Sequence, residues 1–203
     1  SMEILGEQIN GQDGKNTVLL DLDVMKEPEP KSAQATVNSL PRSLQRGLVA
    51  YYPFNGNAKD ESGNGNHGEV HGATATIDRF GNPVRAYFFD GVKAFVDLGD
   101  RDVFDFGTSD FSLSLWVKTD GVQRANYLLA KYSSLSLPAY GIGFGLNTQS
   151  YVFIGDGHSV VSSEGRGTSS LDDGQWHHFA VSFDRDEVLI VLIDGKNSFD
   201  TNI

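Results

Sequence analysis

A loop at residues 51–72, YYPFNGNAKDESGNGNHGEVHG, concentrates short oxygen-bearing side chains and glycines. Carboxylate, amide and backbone carbonyl oxygens are the ligands that Ca²⁺ prefers, about six to eight at a time. The glycines Gly63, Gly65 and Gly68 allow the backbone to turn its carbonyls inward. The sequence therefore predicts one structural calcium ion, with the metal ligands Asp60, Asn64, Asn66 and Asp90.

The same loop has a second interpretation that needs no ion. Asn and Asp side chains often accept hydrogen bonds from backbone N–H groups of their own turns, and glycine supplies the positive φ that tight turns require. The D-x-D-x-D-G spacing of an EF-hand is absent. An ion here would therefore pin the loop rather than act as a regulatory switch.

Aromatic residues in loops and at strand edges are the second candidate chemistry, because carbohydrate sites combine an aromatic face with a few oriented polar groups. The candidate ligand-binding residues are Tyr127, Tyr132, Tyr140 and Tyr151, with Asn147, Gln149 and His158 as polar partners. Surface tyrosines without a function are the alternative. The two tryptophans, Trp116 and Trp176, lie within strand patterns, and we expect them to pack rather than to bind.

Catalysis and nucleic-acid binding are disfavoured. No G-x-S-x-G, P-loop or dinucleotide fingerprint is present. His177 and His178 are adjacent on a predicted strand and point to opposite faces, so they do not share a zinc ion. Acidic residues outnumber basic ones by 27 to 16, giving a formal charge of -11, and no basic cluster offers itself to a phosphate backbone. We expect a non-catalytic protein with no nucleic-acid partner.

The length of the chain allows one large β domain or two small ones. The chain has 203 residues, 23 of them glycine and none cysteine, so a disulfide framework is excluded and the redox compartment stays open. No apolar run approaches the roughly 18 residues that span a membrane, which predicts no membrane insertion. The opening Ser1-Met2 is typical of recombinant expression, and we expect any signal peptide to have been removed.

Short strands separated by turns run through most of the sequence, the pattern of a β-sandwich. Residues 1–25 are an N-terminal arm with one candidate strand at 16–24, and the proline-containing residues 26–46 are a linker. The main domain covers 47–203. Its predicted strands are 47–54, 84–90, 94–99, 111–119, 126–132, 140–147, 150–156, 177–183 and 188–194. Residues 177–194 form the clearest hairpin, followed by a second turn at Asp194-Gly195.

Four segments in order identify a resemblance: LVAYYPFNGNAKDESGNGNHGEVHGA, RFGNPVRAYFFDGVKAFVDLG, FSLSLWVKTD and DDGQWHHFAVSFDRDEVLIVLIDGK. Together they resemble the laminin G-like jelly-roll domains of the concanavalin A-like lectin and glucanase superfamily, over roughly residues 47–196. The resemblance implies an all-β, two-sheet antiparallel jelly-roll sandwich. It also implies a module of a secreted protein that binds carbohydrate or another protein and often holds calcium.

One departure from the family pattern concerns the end of the sandwich. Such domains usually continue after the D-G-K hairpin with further strands, and the sequence stops at Ile203 without them. We therefore expect the usual C-terminal strands to be lacking. Three arrangements are then open. The candidate strand 16–24 fills the resulting gap from the N-terminal side, two chains exchange or pair strands as a dimer, or the domain is cut short.

The predicted function is a non-catalytic carbohydrate-binding module of a secreted or cell-surface protein, stabilised by calcium. Its expected partner is a polysaccharide or glycan, or an extracellular protein. The alternative is a protein-interaction or structural spacer domain of a surface adhesin. A glycoside hydrolase is disfavoured, because the superfamily's glucanases place catalytic acids as E-x-D-x-E on one strand and nothing in the sequence matches.

Overall fold

Two antiparallel sheets of seven strands each make up the fold. The computed structural model describes residues 2–5, 17–21, 40–120, 126–131, 138–144, 150–156, 160–164, 171–184 and 188–202. The first sheet has the strand order β11-β10-β9-β8-β1-β6-β3 and the second β14-β13-β12-β7-β2-β5-β4. The predicted all-β, two-sheet antiparallel sandwich is confirmed.

The strands of the first sheet are β1 (Met2–Leu5), β3 (Glu69–His71), β6 (Phe95–Gly99), β8 (Asn126–Lys131), β9 (Pro138–Phe144), β10 (Ser150–Asp156) and β11 (Val160–Glu164). Those of the second are β2 (Thr17–Asp21), β4 (Thr74–Thr76), β5 (Ala86–Phe89), β7 (Phe111–Asp120), β12 (Asp173–Phe183), β13 (Val188–Ile193) and β14 (Lys196–Asn202). A one-turn helix α1 covers Arg42–Gln45 and a 3-10 turn covers Asp102–Phe104. Within these described ranges, no helix is long and apolar enough to cross a membrane.

The core lies between the two sheets and follows from period-2 alternation. In β7, Leu115 and Val117 are buried in it, while Ser112 and Ser114 face outward and are exposed, as the sequence predicts. Side chains from both sheets form one continuous apolar cluster, so each sheet buries one face against the other.

The predicted strand at 47–54 is wrong, because this segment has no sheet pairing in the structure. It is nevertheless buried at Tyr51, Tyr52 and Phe54. Its backbone groups bind side chains of the polar loop instead of a neighbouring strand: Tyr51 N–H donates to Asp60 Oδ1 at 2.9 Å, and Val49 O accepts from Asn66 Nδ2 at 3.0 Å. Hydrogen bonds to side chains therefore replace the strand-to-strand hydrogen bonds that the apolar alternation predicts.

The N-terminal arm contributes strands to both sheets. The candidate strand 16–24 is confirmed as β2, and a second strand, β1, was not predicted. β1 pairs with β6 and β8, and β2 pairs with β5 and β7, so both are interior strands. The structure thus shows N-terminal strands within both sheets, in line with the first of the arrangements considered above.

The predicted hairpin of β12 and β13 is confirmed, and its following turn is tied back to β12. Asp194 and Gly195 have φ values of 51° and 73°, the conformation that an Asp-Gly turn tolerates. Asp194 Oδ1 accepts from His178 N–H at 2.9 Å, and Asp194 Oδ2 lies 2.8 Å from His177 Nδ1. On its other side, His177 Nε2 lies 3.0 Å from Asp173 Oδ1. His177 therefore bridges two carboxylates.

This bridge predicts a pH-dependent stability. Burial by itself would lower the pKa of His177, but the hydrogen bonds to Asp194 and Asp173 outweigh it and raise the pKa. A raised folded-state pKa gives stability that is fully present below the unfolded value, about 6.5, and is lost as pH rises through the folded value. We expect the melting temperature to fall as pH rises above about 6.5, and the fall to be smaller in His177→Gln. Thermal unfolding between pH 5 and pH 9 checks this.

The matched variant is Asp173→Asn, which weakens one partner of His177 and leaves Asp194 in place. It should reduce the pH dependence without abolishing it. An unchanged pH profile in His177→Gln would assign the dependence to another group.

Candidate functional site

Asp60 organises the polar loop through hydrogen bonds that use both of its carboxylate oxygens. Oδ1 accepts from the backbone N–H groups of Tyr51 at 2.9 Å and Ser62 at 2.8 Å. Oδ2 accepts from Ser62 Oγ at 2.8 Å and Asn66 N–H at 3.0 Å. The residue is only 5% exposed. Burial alone would raise the pKa of Asp60, but these donors lower it below its usual value.

The asparagines of the loop hold the segment before it. Asn64 Nδ2 donates to Leu48 O at 2.8 Å and to Val49 O at 3.0 Å, and Asn66 Nδ2 donates to the same Val49 carbonyl. The buried Tyr52 hydroxyl donates to Asn66 O from the other side. The loop is thus fastened to residues 48–52 at several points.

Asp90, the fourth predicted metal ligand, caps a different turn. Its Oδ1 accepts from the backbone N–H groups of Val92, Lys93 and Ala94 at 2.9, 3.0 and 3.0 Å. This is the Asx-turn arrangement of the second interpretation above. Hydrogen-bond donors therefore occupy both carboxylate oxygens of Asp60 and the Oδ1 oxygen of Asp90.

As arranged, Asp60 has no carboxylate lone pair left for a calcium ion. A carboxylate offers about four lone-pair positions, and all those of Asp60 accept hydrogen bonds. Within the part of the chain that the structure describes, no group of three or more His, Asp or Glu side chains is placed to hold a metal. The calcium ion stays a prediction, and the hydrogen bonds account for the loop without it.

A cluster of three aromatic rings covers the outer face of the first sheet, which we call the tyrosine patch: Tyr127 on β8, and Tyr151 and Phe153 on β10. The Tyr127 and Tyr151 ring centroids are 6.0 Å apart, and Phe153 lies 5.5 Å from Tyr127 and 6.0 Å from Tyr151. Successive residues of a strand point to opposite faces. Val152 and Ile154 of β10 belong to the core, so Tyr151 and Phe153, which alternate with them, lie on the outer face. The two tyrosines are half-buried and Phe153 is buried.

Glycines of β9 form the floor of the tyrosine patch. Gly143 is paired with Tyr127 on one side and with Tyr151 on the other, and Gly141 is paired with Phe153. A Cβ atom added to Gly141 would lie 2.8 Å from Phe153 Cζ and overlap the ring further along its edge. The missing side chains therefore let the neighbouring rings lean together over the β9 backbone.

The other predicted ligand residues have different positions. Tyr140 is 5% exposed, donates its hydroxyl to Phe104 O at 3.2 Å, and has a pKa raised by burial, so its ring belongs to the core and not to a surface site. Tyr132, Asn147, Gln149 and His158 lie outside the described residues. Of the predicted set, the structure thus brings Tyr127 and Tyr151 together.

A second aromatic surface lies on the outer face of the second sheet, and we call it the tryptophan patch: Arg79, Phe80, Trp116 and His178. The Arg79 guanidinium carbon lies 4.1 Å from the Phe80 ring centroid and 4.5 Å from that of Trp116, within cation–π range. Trp116 also contacts His178, with centroids 5.2 Å apart. Both tryptophans are half-buried and lie outside the core cluster, and Trp116 packs on the outer face against Arg79 and His178.

Acidic residues near β8 pair with a lysine. The Lys131 Nζ lies 2.8 Å from Asp105 Oδ1 and 3.2 Å from Asp100 Oδ1, with only 7% of the lysine side chain exposed. Its hydrogen bond lowers the pKa of Asp100. These two carboxylates tie the loop after β6 to β8.

Sequence reasoning missed Phe153 and the tryptophan patch. The segment YGIGFG, residues 140–145, carries the missing signal for the first, because its glycines alternate with Ile142 and Phe144. When Ile142 and Phe144 face the core, the outer face of that strand has only glycines. Side chains of the neighbouring strands must then cover its backbone. For Trp116, the alternation with Ser112 and Ser114 already placed its ring on the outward face.

Residues 89–203, more than half of the chain, match the Laminin_G_3 model, described as the concanavalin A-like lectin/glucanases superfamily. The chain is similar to the solved binding domain of Paraclostridial Mosquitocidal Protein 1, with a TM-score of 0.61 and 15% identity, over 79% of this chain and 41% of that chain. At this identity the likeness shows the fold alone.

A second solved structure, mouse laminin alpha1 chain domains LG4-5, has a TM-score of 0.38 and 12% identity, over 63% of this chain and 41% of that chain. The chain therefore spans 41% of the length of each of these two solved chains. No curated protein matches the sequence.

Proposed function

Because the chain belongs to the Laminin_G_3 family of the concanavalin A-like lectin/glucanases superfamily, we propose that it is a non-catalytic module that binds an extracellular polysaccharide or glycan. The observation that carries the proposal is the tyrosine patch. Tyr127 and Tyr151 present two half-buried rings with hydroxyl groups on an outer sheet face. Such rings offer an apolar face for a sugar ring and a polar group for its hydroxyls.

Rigidity supports this role of the tyrosine patch. Phe153 is 2% exposed and contacts both tyrosines, so it packs against their rings rather than meeting a ligand. All three side chains are on paired strands, and a site on strands is held more firmly than one on loops. Binding then costs little ordering of the protein. The proposal requires no metal ion.

A protein-binding function is the second candidate, and the tryptophan patch favours it. Aromatic residues and arginine are enriched in protein interfaces. The turn between β4 and β5, which contributes Phe80 to the patch, exposes Ile77 at 56%, Phe80 at 46% and Val84 at 50%. The two candidates therefore use opposite faces of the sandwich and are separable by substitution.

The test is a screen of the native chain against extracellular polysaccharides and oligosaccharides, followed by titration calorimetry on the variants. We expect Tyr151→Ala and Tyr127→Ala each to weaken glycan binding by about tenfold, since loss of one stacking ring is worth about 1.4 kcal/mol. Tyr151→Phe should retain most of the stacking.

The matched control is Trp116→Ala, which removes a half-buried aromatic ring from the opposite face. It should leave glycan affinity unchanged. Glycan binding that survives both tyrosine substitutions would contradict the proposed site, and the absence of binding to any glycan in the screen would shift the assignment to the protein-binding candidate.

A further inference from the structure

A second aromatic contact lies on the first sheet, several strands away from the tyrosine patch. Phe95 on β6 is paired with His71 on β3. Their rings are stacked, with centroids 4.6 Å apart and planes 16° apart. Both residues are half-buried, and 40% of the His71 side chain is exposed. We call these two residues the edge pair.

The edge pair shares the outer face of the sheet with the tyrosine patch. Val96 and Leu98 of β6 belong to the core, so Phe95, which precedes Val96, points to the other face. Residues paired directly across strands share a face, so His71 lies there as well. The two aromatic contacts therefore belong to one surface.

The register of β8 and β9 fixes the position of Tyr127 along the strand direction. Ala130 is paired with Gly141 and Tyr127 with Gly143, and a bulge in β8 takes up the extra residue. Counted on β9, Tyr127 is thus two residue positions from Ala130. Tyr151 is paired with the same Gly143, so the two tyrosines lie at one level.

The register of β1 relates this level to β6. Glu3 is paired with Ala130 on one side and with Asp97 on the other. Both β8 and β6 run antiparallel to β1, so the two strands point the same way. Phe95 is two positions from Asp97 in the direction in which Tyr127 is two positions from Ala130. Phe95 therefore lies at the level of Tyr127.

Four aromatic side chains thus form a line across the strands, which we call the aromatic row: Tyr151, Tyr127, Phe95 and His71. The row runs from β10 through β9, β8, β1 and β6 to β3, which is five steps between neighbouring strands. At 4.7–4.9 Å per step, it is about 24 Å long. A disaccharide contacts only one end of such a row, whereas a linear chain of several sugar residues contacts both.

Two carboxylates lie beside the edge pair. Asp97 is paired with Glu69, and each is two residues from its aromatic neighbour on the same strand, so both are on the outer face. The Glu69 side chain is 80% exposed, and its Oε1 lies 3.6 Å from His71 Nε2. Ionised carboxylates only accept hydrogen bonds, and they form strong ones with hydroxyl donors. Sugar hydroxyls are donors of this kind.

Cationic groups are scarce on the same strands. Among the residues of this sheet whose side chains the structure describes, Lys131 is the one lysine or arginine. Only 7% of its side chain is exposed, and its ammonium group pairs with Asp100 and Asp105. A sulfated or uronic-acid chain would therefore meet the carboxylates of Glu69 and Asp97 without compensating lysine or arginine side chains on these strands.

We infer that the aromatic row is one continuous binding face for a linear, uncharged polysaccharide, with the tyrosine patch at one end and the edge pair at the other. The inference rests on the proposed function and extends the glycan site from the tyrosine patch to β3. Contacts at both ends of one chain reinforce each other, because the first contact raises the local concentration of the sugar at the second.

The test compares short and long neutral chains by titration calorimetry. The probes are cello-, manno- and xylo-oligosaccharides, each as the disaccharide and the hexasaccharide, with a galacturonate hexasaccharide as the acidic counterpart. We expect the hexasaccharide of the bound series to bind at least tenfold more tightly than its disaccharide. The galacturonate chain should bind more weakly than this neutral hexasaccharide.

Substitutions in the edge pair should act on the long chain alone. Phe95→Ala should weaken hexasaccharide binding by about tenfold, as loss of one stacking ring does, and leave disaccharide binding at the tyrosine patch unchanged. Tyr151→Ala should weaken both. If Phe95→Ala fails to fold, His71→Ala on the edge strand replaces it, since much of that side chain is exposed.

Glu69→Gln tests the carboxylate. It keeps the shape of the side chain but removes its charge, and we expect severalfold weaker binding of the hexasaccharide. The matched control is Asp102→Asn, which removes the same charge from an exposed residue on the 3-10 turn and should leave the affinity unchanged.

Three outcomes would overturn the inference. If the edge-pair variants bind the hexasaccharide as the native chain does while Tyr151→Ala weakens it, the site ends at the tyrosine patch and the proposed function stands. Tighter binding of galacturonate than of every neutral hexasaccharide would refute the uncharged ligand class. Absence of binding to all of these probes would also refute the inference, and the polysaccharide screen then decides separately on the proposed function.

Discussion

Asp60→Ala should destabilise the protein by about 3 kcal/mol, the largest effect we expect from a single substitution. The change leaves the N–H groups of Tyr51, Ser62 and Asn66 without their acceptor. An unsatisfied buried donor costs about 1–3 kcal/mol, and water recovers part of it. For a chain of this size, the melting temperature should fall by roughly 10 °C, measured by thermal unfolding in excess EDTA.

The metal-free condition separates the two interpretations of the loop. If hydrogen bonds hold it, Asp60→Ala lowers the melting temperature as much in EDTA as in added calcium. A loss seen only in calcium, together with a calcium-dependent rise in the native chain that the substitution abolishes, would make Asp60 a metal ligand. The matched control is Asp102→Ala, which removes an exposed carboxylate and should cost less than about 0.5 kcal/mol.

A conservative change at the same position refines the test. Asp60→Asn keeps the shape and one acceptor oxygen but places an NH₂ group against N–H donors. We therefore expect a loss smaller than that of Asp60→Ala but still well above the Asp102→Ala control. The order of the three variants reports how much of the effect belongs to hydrogen-bond acceptance.

Alternation of apolar and polar residues correctly predicted the strands that have one apolar face. It failed where side chains of a nearby loop bind the backbone instead of a neighbouring strand. β7 and β13 follow their predicted ranges to within one residue, whereas β12 begins four residues before its predicted start. The segment 47–54 is also rich in apolar residues, but it forms no strand. Its Tyr51 N–H donates to Asp60, and its backbone carbonyls accept from Asn64 and Asn66. Only the three-dimensional arrangement of the loop decides between these partners.

The candidate site was predicted in part for the same reason. The sequence singled out Tyr127 and Tyr151 as aromatic candidates. It could not show that they lie on two different strands and that both are paired with Gly143 of the strand between them. That juxtaposition depends on strand order and register, which are non-local. Tyr140 shows the converse, since a strand-edge position in the sequence becomes a core position when Phe106 and Phe111 pack on its ring.

Gly141→Ala should cost about 1–3 kcal/mol, because the new methyl group overlaps the Phe153 ring. The ring cannot move away easily, since it is 2% exposed and in contact with Tyr127 and Tyr151. The same strain would displace the two tyrosines, so glycan affinity should fall along with the melting temperature. Chemical denaturation and calorimetry of the variant measure both.

A double-mutant cycle decides whether this clash is the cause. In a Phe153→Ala background the space above β9 is open, and alanine is a better strand residue than glycine because it reduces the entropy of the unfolded chain. Gly141→Ala should then stabilise by about 0.5 kcal/mol instead of destabilising. If Gly141→Ala lowers the free energy of unfolding equally in both backgrounds, the β9 backbone itself requires the glycine. Contact with the aromatic rings is then not the reason for a glycine at this position.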